Sequence, residues 1–205
     1  MKKLFIGDLD ELSRIIRQRR RSGASRFDEV WEGVYVMSPQ PNNEHLILAS
    51  LLSFAFHSGV DPSRVVAITQ GGNVSDRHEG WRKNFRCPDV LVFLAGNPAE
   101  DRGSHWLGGP DFAVEILSPR DRSRKKFAFY AGVGVRELLL VDRKPWRLEL
   151  YRLVDGSYEA AGTSEPDRPE VVTSHVLDLN FRLDPGTPRP RIEVSRPADG
   201  MTWIA

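Results

Sequence analysis

The chain has 205 residues, 40% of them hydrophobic and 28% charged, which is ordinary for a globular protein of one domain. Its 29 basic and 28 acidic residues leave a net charge of +1, which excludes overall attraction to a polyanion and requires a local patch for such a partner. The sequence contains no apolar run of the ~18 residues that a membrane span needs. The single cysteine, Cys87, excludes an internal disulfide and favours a reducing, cytoplasmic location.

The N-terminal segment 1–26 is locally basic. It contains eight lysines and arginines against three acids, a net charge of +5. Residues 8–20 predict a short helix, because their leucines and isoleucines recur at three- and four-residue steps. Two interpretations of the basic residues stay open: the solvated end of a helix, or an arm that contacts phosphates.

Strands and helices then alternate along the chain. The predicted strands are a pair at 30–36 with a turn at Gly33, four segments at 64–69, 88–94, 111–117 and 137–142, and a hairpin over 147–161. Helices are predicted at 44–57 and 122–131. This order predicts an α/β fold with a mixed sheet flanked by helices and extra N-terminal β elements. The predicted division is a basic helix or arm at 1–26, a domain at 27–182 and a Pro-rich tail or wrapping arm at 183–205.

Three charged residues lie in or beside apolar segments. Asp89 opens one buried strand, Glu115 lies in the middle of another, and Lys126 lies on the helix that follows. A carboxylate inside an apolar strand costs several kcal/mol unless a cation compensates it. If the two strands are neighbours, Asp89 and Glu115 lie ~5 Å apart. Asp111 is too far along its strand from Glu115, ~13 Å, to share an ion with it.

Two carboxylates without nitrogen or sulfur ligands suit a hard cation such as Mg²⁺ or Mn²⁺. A neighbouring lysine can orient water or stabilise charge on a phosphoryl group. The three residues together indicate phosphodiester hydrolysis. The alternative that the spacing leaves open is a buried Glu–Lys ion pair beside a helix-capping aspartate.

The surrounding residues resemble a known family. Pro88-Asp89 followed by the run Gly109–Pro119, then Lys126–Val135 and Leu139–Asp142, is similar to the PD-(D/E)xK nuclease superfamily and more narrowly to the Uma-two family, the restriction-endonuclease-like domain. Segments upstream also match, namely Glu29–Gly33, Met37–Pro39 and Glu44-His45. The resemblance covers roughly residues 27–153.

The resemblance implies a restriction-endonuclease-like core with a metal ion on Asp89, Glu115 and the carbonyl of Ile116. Position 117 is leucine, and the lysine expected there is supplied instead by the following helix. We prefer Lys126 to Lys125, which points about 100° away around the helix. In the superfamily an acid of the first helix can complete the metal site, so Glu44 is a candidate ligand and His45 a candidate catalytic group.

The sequence therefore predicts a Mg²⁺-dependent endonuclease that hydrolyses DNA, with catalytic residues Asp89, Glu115, Lys126 and His45. The alternatives are a nuclease-fold binding or regulatory module without turnover, and a hydrolase of some other phosphodiester. Cleavage of both DNA strands usually needs two sites, so a homodimer is expected.

Overall fold

The computed structural model describes residues 9–118 and 122–205. Residues 1–8 of the predicted basic segment therefore lie outside the described residues. In chain order the elements are α1 (Leu9–Arg21), β1 (Glu29–Trp31), β2 (Val34–Val36), α2 (Asn43–Gly59), β3 (Val65–Gln70), β4 (Val74–Ser75), β5 (Phe85–Arg86), β6 (Val90–Leu94), β7 (Glu100–Asp101), β8 (Trp106–Leu107), β9 (Phe112–Ile116), α3 (Phe127–Gly132), β10 (Glu137–Arg143), β11 (Trp146–Val154), β12 (Ser157–Ser164), β13 (Val172–Ser174), β14 (Leu179–Asp184), β15 (Arg191–Ser195) and β16 (Thr202–Ile204). Short 3₁₀ turns lie at Pro62–Arg64, Trp81–Lys83 and Ser123–Lys126.

The central sheet has the strand order β12-β11-β10-β9-β6-β3. Strands β9 and β10 run parallel, with α3 in the connection between them, and the other pairs are antiparallel. β6, β9 and the first five residues of β10 are buried throughout, as expected for apolar runs at the middle of a sheet. The strands that open with Asp89 and contain Glu115 are therefore direct neighbours.

Helix α2 covers one face of this sheet. Asn42 caps it by accepting a hydrogen bond from the backbone N–H of His45 at 3.0 Å. Phe56 of α2 packs edge-on against Phe112 of β9, with ring centroids 5.6 Å apart. Helix α3 and Tyr130 belong to a second apolar cluster with Leu138 and Leu140. Because α2 begins beside the carboxylate-bearing strands, its first turn lies next to the candidate site.

A second, N-terminal sheet has the order β2-β1-β5-β4-β8-β7. The β1–β2 hairpin is the predicted strand pair with its turn at Gly33, whose φ is +82°. Helix α1 is tied to the start of β1 through Arg19, whose guanidinium donates to both oxygens of Asp28 at 2.6 and 2.7 Å. The predicted N-terminal helix is therefore anchored to the domain.

The expectation of a Pro-rich tail at 183–205 is wrong. This segment completes β14 and forms β15 and β16 of a third sheet, ordered β13-β14-β15-β16. Leu183, Ile192 and Val194 are fully buried in the same core as Phe56 and Phe112. The prolines of this segment lie in the connections between the strands. The short strands between them alternate apolar and polar residues and bury their apolar face. Composition alone hides that alternation.

The predicted α/β class, mixed sheet with flanking helices and extra N-terminal β elements are confirmed. Two two-residue strands, β7 and β8, lie in the connection between β6 and β9. No helix in the described ranges is long and apolar enough to cross a membrane.

Candidate active site

Asp89 lies immediately before β6, at the point where β6 meets β9. Its backbone N–H donates to the carbonyl of Val114 at 2.9 Å, and its Oδ2 atom accepts from the backbone N–H of Ile116 at 2.7 Å. The register pairs Val90 with Val114, so Asp89 faces Glu115 across the ladder, as the sequence predicted. The fixed carboxylate is oriented by the backbone of the neighbouring strand.

Glu115 is 4% exposed and accepts hydrogen bonds on both carboxylate oxygens. Lys126 Nζ lies 2.9 Å from Oε1 and 3.0 Å from Oε2, and the Ser123 hydroxyl donates to Oε2 at 3.0 Å. The Tyr130 hydroxyl also donates to Oε1. The donors come from the 3₁₀ turn and helix that follow β9, which explains why this polar group is tolerated inside the sheet.

Lys126 is buried, whereas Lys125 is exposed. The same Nζ atom of Lys126 also donates to Glu29 Oε1 at 2.9 Å. Glu29, on β1, in turn accepts from the backbone N–H of Cys87 at 2.9 Å and from the indole of Trp31 at 2.6 Å. One ammonium is therefore held between two carboxylates from distant parts of the chain.

His45 lies in the first turn of α2, with Nε2 2.7 Å from Asp89 Oδ1. Since an ionised carboxylate only accepts hydrogen bonds, we assign the proton of this contact to Nε2. Within the described part of the chain, Nδ1 is buried without a hydrogen-bond partner. The histidine therefore contacts one oxygen of Asp89, and the Ile116 amide contacts the other.

One cavity of about 120 Å³ joins these groups. It is lined by Phe27, Glu29, Ser38, Pro39, Pro41, His45, Cys87, Asp89, Glu115, Ile116, Ser118 and Lys126. All four predicted catalytic residues, and Ile116 of the predicted metal ligands, therefore meet at one site. The larger surface groove, along α1, contains none of them.

Glu44 is not brought to this cavity. Its carboxylate accepts from Arg143 at 2.9 Å and lies 3.9 Å from the guanidinium of Arg189. Consecutive helix residues point about 100° apart, so the first turn of α2 can direct only one of Glu44 and His45 at Asp89. The prediction of Glu44 as a metal ligand finds no support in this geometry.

The cavity carries an excess of acidic groups. Burial raises the pKa of Glu115 to about 7, and the neighbouring carboxylates of Asp89 and Glu29 act in the same direction. Burial alone would lower the pKa of Lys126, but the adjacent Glu115 and Glu29 carboxylates raise it above its ordinary value. Burial also raises the pKa of the Cys87 thiol, which is therefore not a nucleophile at neutral pH.

Sequence reasoning missed three members of this network. The sequence gives Glu29 only as part of a segment that matches the family, and it predicts no contact of Tyr130 or Ser123 with Glu115. Tyr130 lies fifteen residues and Ser123 eight residues beyond Glu115, on the same turn and helix as Lys126. Tyr130 lies four residues after Lys126, a helical spacing that places the two side chains on the same face, and this spacing could have indicated that both reach Glu115.

The donor set is compatible with a hard divalent cation. The described ranges contain no cluster of three or more His, Cys, Asp or Glu side chains that could hold a metal by themselves. Two carboxylates and a backbone carbonyl are oxygen ligands of the type that Mg²⁺ takes, with water supplying the remainder. Glu29, Asp89 and Glu115 line the cavity together with the ammonium of Lys126, and a divalent ion would balance the negative charge that the lysine leaves.

Comparison with known proteins places the chain among nuclease-like folds. Five chains of solved structures match it, one of them a crystal structure described as a putative nuclease from Anabaena variabilis. The two sequences are 23% identical, and the aligned region covers 70% of this chain and 79% of the chain in that structure. The superposition has a TM-score of 0.54. No curated protein matches. The Uma-two model, described as "Putative restriction endonuclease", matches residues 11–185, so the chain belongs to that family.

Proposed function

We propose that the protein is a Mg²⁺-dependent endonuclease that hydrolyses phosphodiester bonds of DNA. The observation that carries the proposal is the convergence of Asp89, Glu115, Lys126 and His45 on one cavity. The family supports a nuclease, and the metal, the substrate and the residue roles are our inference.

Asp89 and Glu115, with the carbonyl of Ile116, would hold Mg²⁺ or Mn²⁺. Such an ion, when bound, polarises a phosphoryl oxygen and lowers the pKa of a bound water. The chain contributes a preorganised pair of carboxylates. Asp89 is fixed by an amide of the neighbouring strand and by His45, while Glu115 is fixed by the hydroxyls of Tyr130 and Ser123.

Lys126 would steady the charge that develops on the phosphoryl oxygens or orient the attacking water. Its ammonium already lies between Glu115 and Glu29, so it needs no large rearrangement to remain at the cavity. The raised pKa keeps it protonated at neutral pH. A compact, permanently positive group beside the reacting phosphate is the kind of stabilisation that accelerates phosphoryl transfer.

His45 would position Asp89. Its Nε2–H contact fixes the direction of one carboxylate oxygen. Its second nitrogen, Nδ1, is buried and has no hydrogen-bond partner among the described residues. This assigns His45 a supporting role through Asp89.

The test is incubation with supercoiled plasmid DNA in Mg²⁺, in Mn²⁺ and in EDTA. We expect nicking in either metal, loss of nicking in Asp89→Asn and Lys126→Met, and wild-type nicking in Lys125→Met. The last variant removes the neighbouring exposed lysine and is the matched control. Nicking that persists in both site variants would refute the assignment.

The alternative is a nuclease-fold binding or regulatory module without turnover. The observation in its favour is that both oxygens of Glu115 already accept hydrogen bonds, from Lys126, Tyr130 and Ser123. A Glu–Lys ion pair with a purely structural role would have the same contacts. DNA binding without cleavage in any divalent metal would favour it.

The proposal also includes a homodimer, since cutting both strands usually needs two sites, and a cytoplasmic location. Light scattering tests the first: a monomer at the concentration where DNA is cut in both strands would contradict it. Fractionation of cells tests the second.

A further inference from the structure

Four arginines form an exposed, uncompensated group at the C-terminal part of α1 and the turn after it. Arg17, Arg20, Arg21 and Arg26, here called the arginine ridge, are all exposed. None of the four makes an ion pair within residues 9–118 and 122–205, whereas Arg14 in the same helix pairs with Glu11 at 2.6 Å. The ridge therefore offers positive charge to a partner.

Without such a partner, the like charges of the arginine ridge destabilise the helix locally. Arg17 lies three residues from Arg20 and four from Arg21, spacings at which like charges on a helix repel each other. The helix dipole favours cations in the last turn, which accounts for Arg20 and Arg21 but not for Arg17 or for Arg26 beyond the helix. An anionic partner would relieve the repulsion among the three arginines of the helix.

The helix that carries three of the four ridge arginines is fixed next to the candidate active site. Arg19, on the same helix, donates to Asp28 and to the carbonyl of Ser38 at 2.8 Å, and Ser38 lines the cavity. The guanidinium of Arg26 lies 5.6 Å from the ring centroid of Phe27, which also lines the cavity. Helix α1 is therefore held at the side of the cavity by contacts with its wall.

Charge complementarity identifies the class of partner. The cavity presents the carboxyl groups of Glu29, Asp89 and Glu115 to an incoming phosphodiester, and these repel it. The net charge of +1 offers no general attraction to offset that repulsion. Arg17 and Arg21 lie two positions from Arg19, about 160° around the helix from the face that contacts the cavity wall, so they are on its outward side. There they supply local positive charge on a helix anchored to that wall, and guanidinium is well suited to phosphate oxygens.

We propose that the arginine ridge binds the phosphate backbone of duplex DNA beside the bond held at the cavity. This rests on the proposed nuclease function for its choice of DNA, but it concerns binding and needs no turnover. The contacts are to phosphates, so they position the duplex without reading its sequence.

The experiment measures binding of a fluorescein-labelled duplex by anisotropy in EDTA, across a series of salt concentrations, with the wild-type full-length chain and two double variants. Arg17→Gln with Arg21→Gln removes two ridge charges. Arg64→Gln with Arg196→Gln is the control of equal charge. Both control arginines lie at the far end of α2, where Arg196 contacts the carbonyl of Gly59, ~20 Å from the His45 turn at 1.5 Å per residue.

We expect the ridge variant to bind the duplex roughly tenfold more weakly than the wild type. The slope of log K against log salt concentration should be shallower by about 2, because each lost phosphate contact reduces that slope by about 0.9. The control variant should keep the wild-type slope. Equal affinity and slope in the ridge variant and the wild type, with unchanged thermal unfolding, would overturn the proposal.

The nicking assay separates this proposal from the nuclease proposal. Nicking by the wild type together with an unaffected ridge variant would overturn the ridge and leave the nuclease. Loss of binding in the ridge variant, with no nicking by the wild type in any metal, would support the ridge and count against turnover.

Discussion

The ammonium of Lys126 lies 2.9 Å from Oε1 of Glu29, a residue 97 positions earlier in the chain. This contact joins the N-terminal sheet to the helix that follows Glu115. It makes the lysine a shared cation of two acids, with Glu29 holding it from one side and Glu115 from the other.

Glu29→Gln should therefore reduce the nicking rate by about ten- to hundredfold, as loss of a supporting contact at a metal site does. The amide keeps the shape but removes the charge that positions Lys126. Affinity for duplex DNA in EDTA should stay at the wild-type value. A rate equal to wild type would contradict the positioning role.

Asp89→Asn should abolish the stabilisation that a divalent metal confers. Wild-type protein should unfold at a higher temperature in Mn²⁺ than in EDTA, because a ligand that binds only the folded state stabilises it. In the variant the two unfolding temperatures should coincide, as measured by differential scanning fluorimetry.

The control for that measurement is Asp111→Asn, at another aspartate that follows a proline. Asp111 accepts from the backbone N–H of Leu94 and the side chain of Asn97, both at 2.8 Å, so its loss should lower the unfolding temperature in both conditions. The difference between Mn²⁺ and EDTA should remain. If Asp111→Asn also unfolded at the same temperature in Mn²⁺ and in EDTA, the result for Asp89→Asn would reflect damage to the fold and not the loss of a metal ligand.

Glu115 should make the metal-free protein less stable as pH rises from about 4.5 to about 7. Its pKa in the folded state is raised to about 7 from an ordinary value of 4.5, so in this window the folded state binds a proton that the unfolded state has lost. Stability falls with pH wherever the folded state binds more protons, here by on the order of a few kcal/mol.

Urea unfolding in EDTA at pH 5 and pH 7.5 measures this effect. Glu115→Gln cannot ionise, so its free energy of unfolding should change less over the window than that of the wild type. An equal change in both proteins would place the pH dependence on other groups.

Ile192→Ala should lower the free energy of unfolding by about 2–5 kcal/mol, the range for a truncated core side chain. Ile192 is fully buried although it lies in the segment that composition marks as a tail. Val171→Ala, at a residue 56% exposed, is the control and should change stability by less than about 0.5 kcal/mol. Chemical denaturation checks both, and a small loss at Ile192 would mean that the C-terminal sheet is dispensable.

The sequence by itself determined the main buried strands, because apolar runs identify β6, β9 and β10 and alternation assigns the faces of each strand. The pairing of Asp89 with Glu115 was conditional on the two strands being neighbours, and the register of β6 and β9 meets that condition. The choice of Lys126 over Lys125 rested on the family resemblance together with the 100° helix step, and of the two lysines Lys126 is the buried one.

Only the tertiary structure decided which groups complete the site and which segments join the core. The Glu29–Lys126 contact spans 97 residues, and the selection of His45 over Glu44 depends on how α2 is rotated on the sheet. The C-terminal strands bury Ile192 and Val194 against residues far earlier in the chain. Such contacts depend on packing between distant segments, and local pattern carries no information about which distant surface a segment will meet.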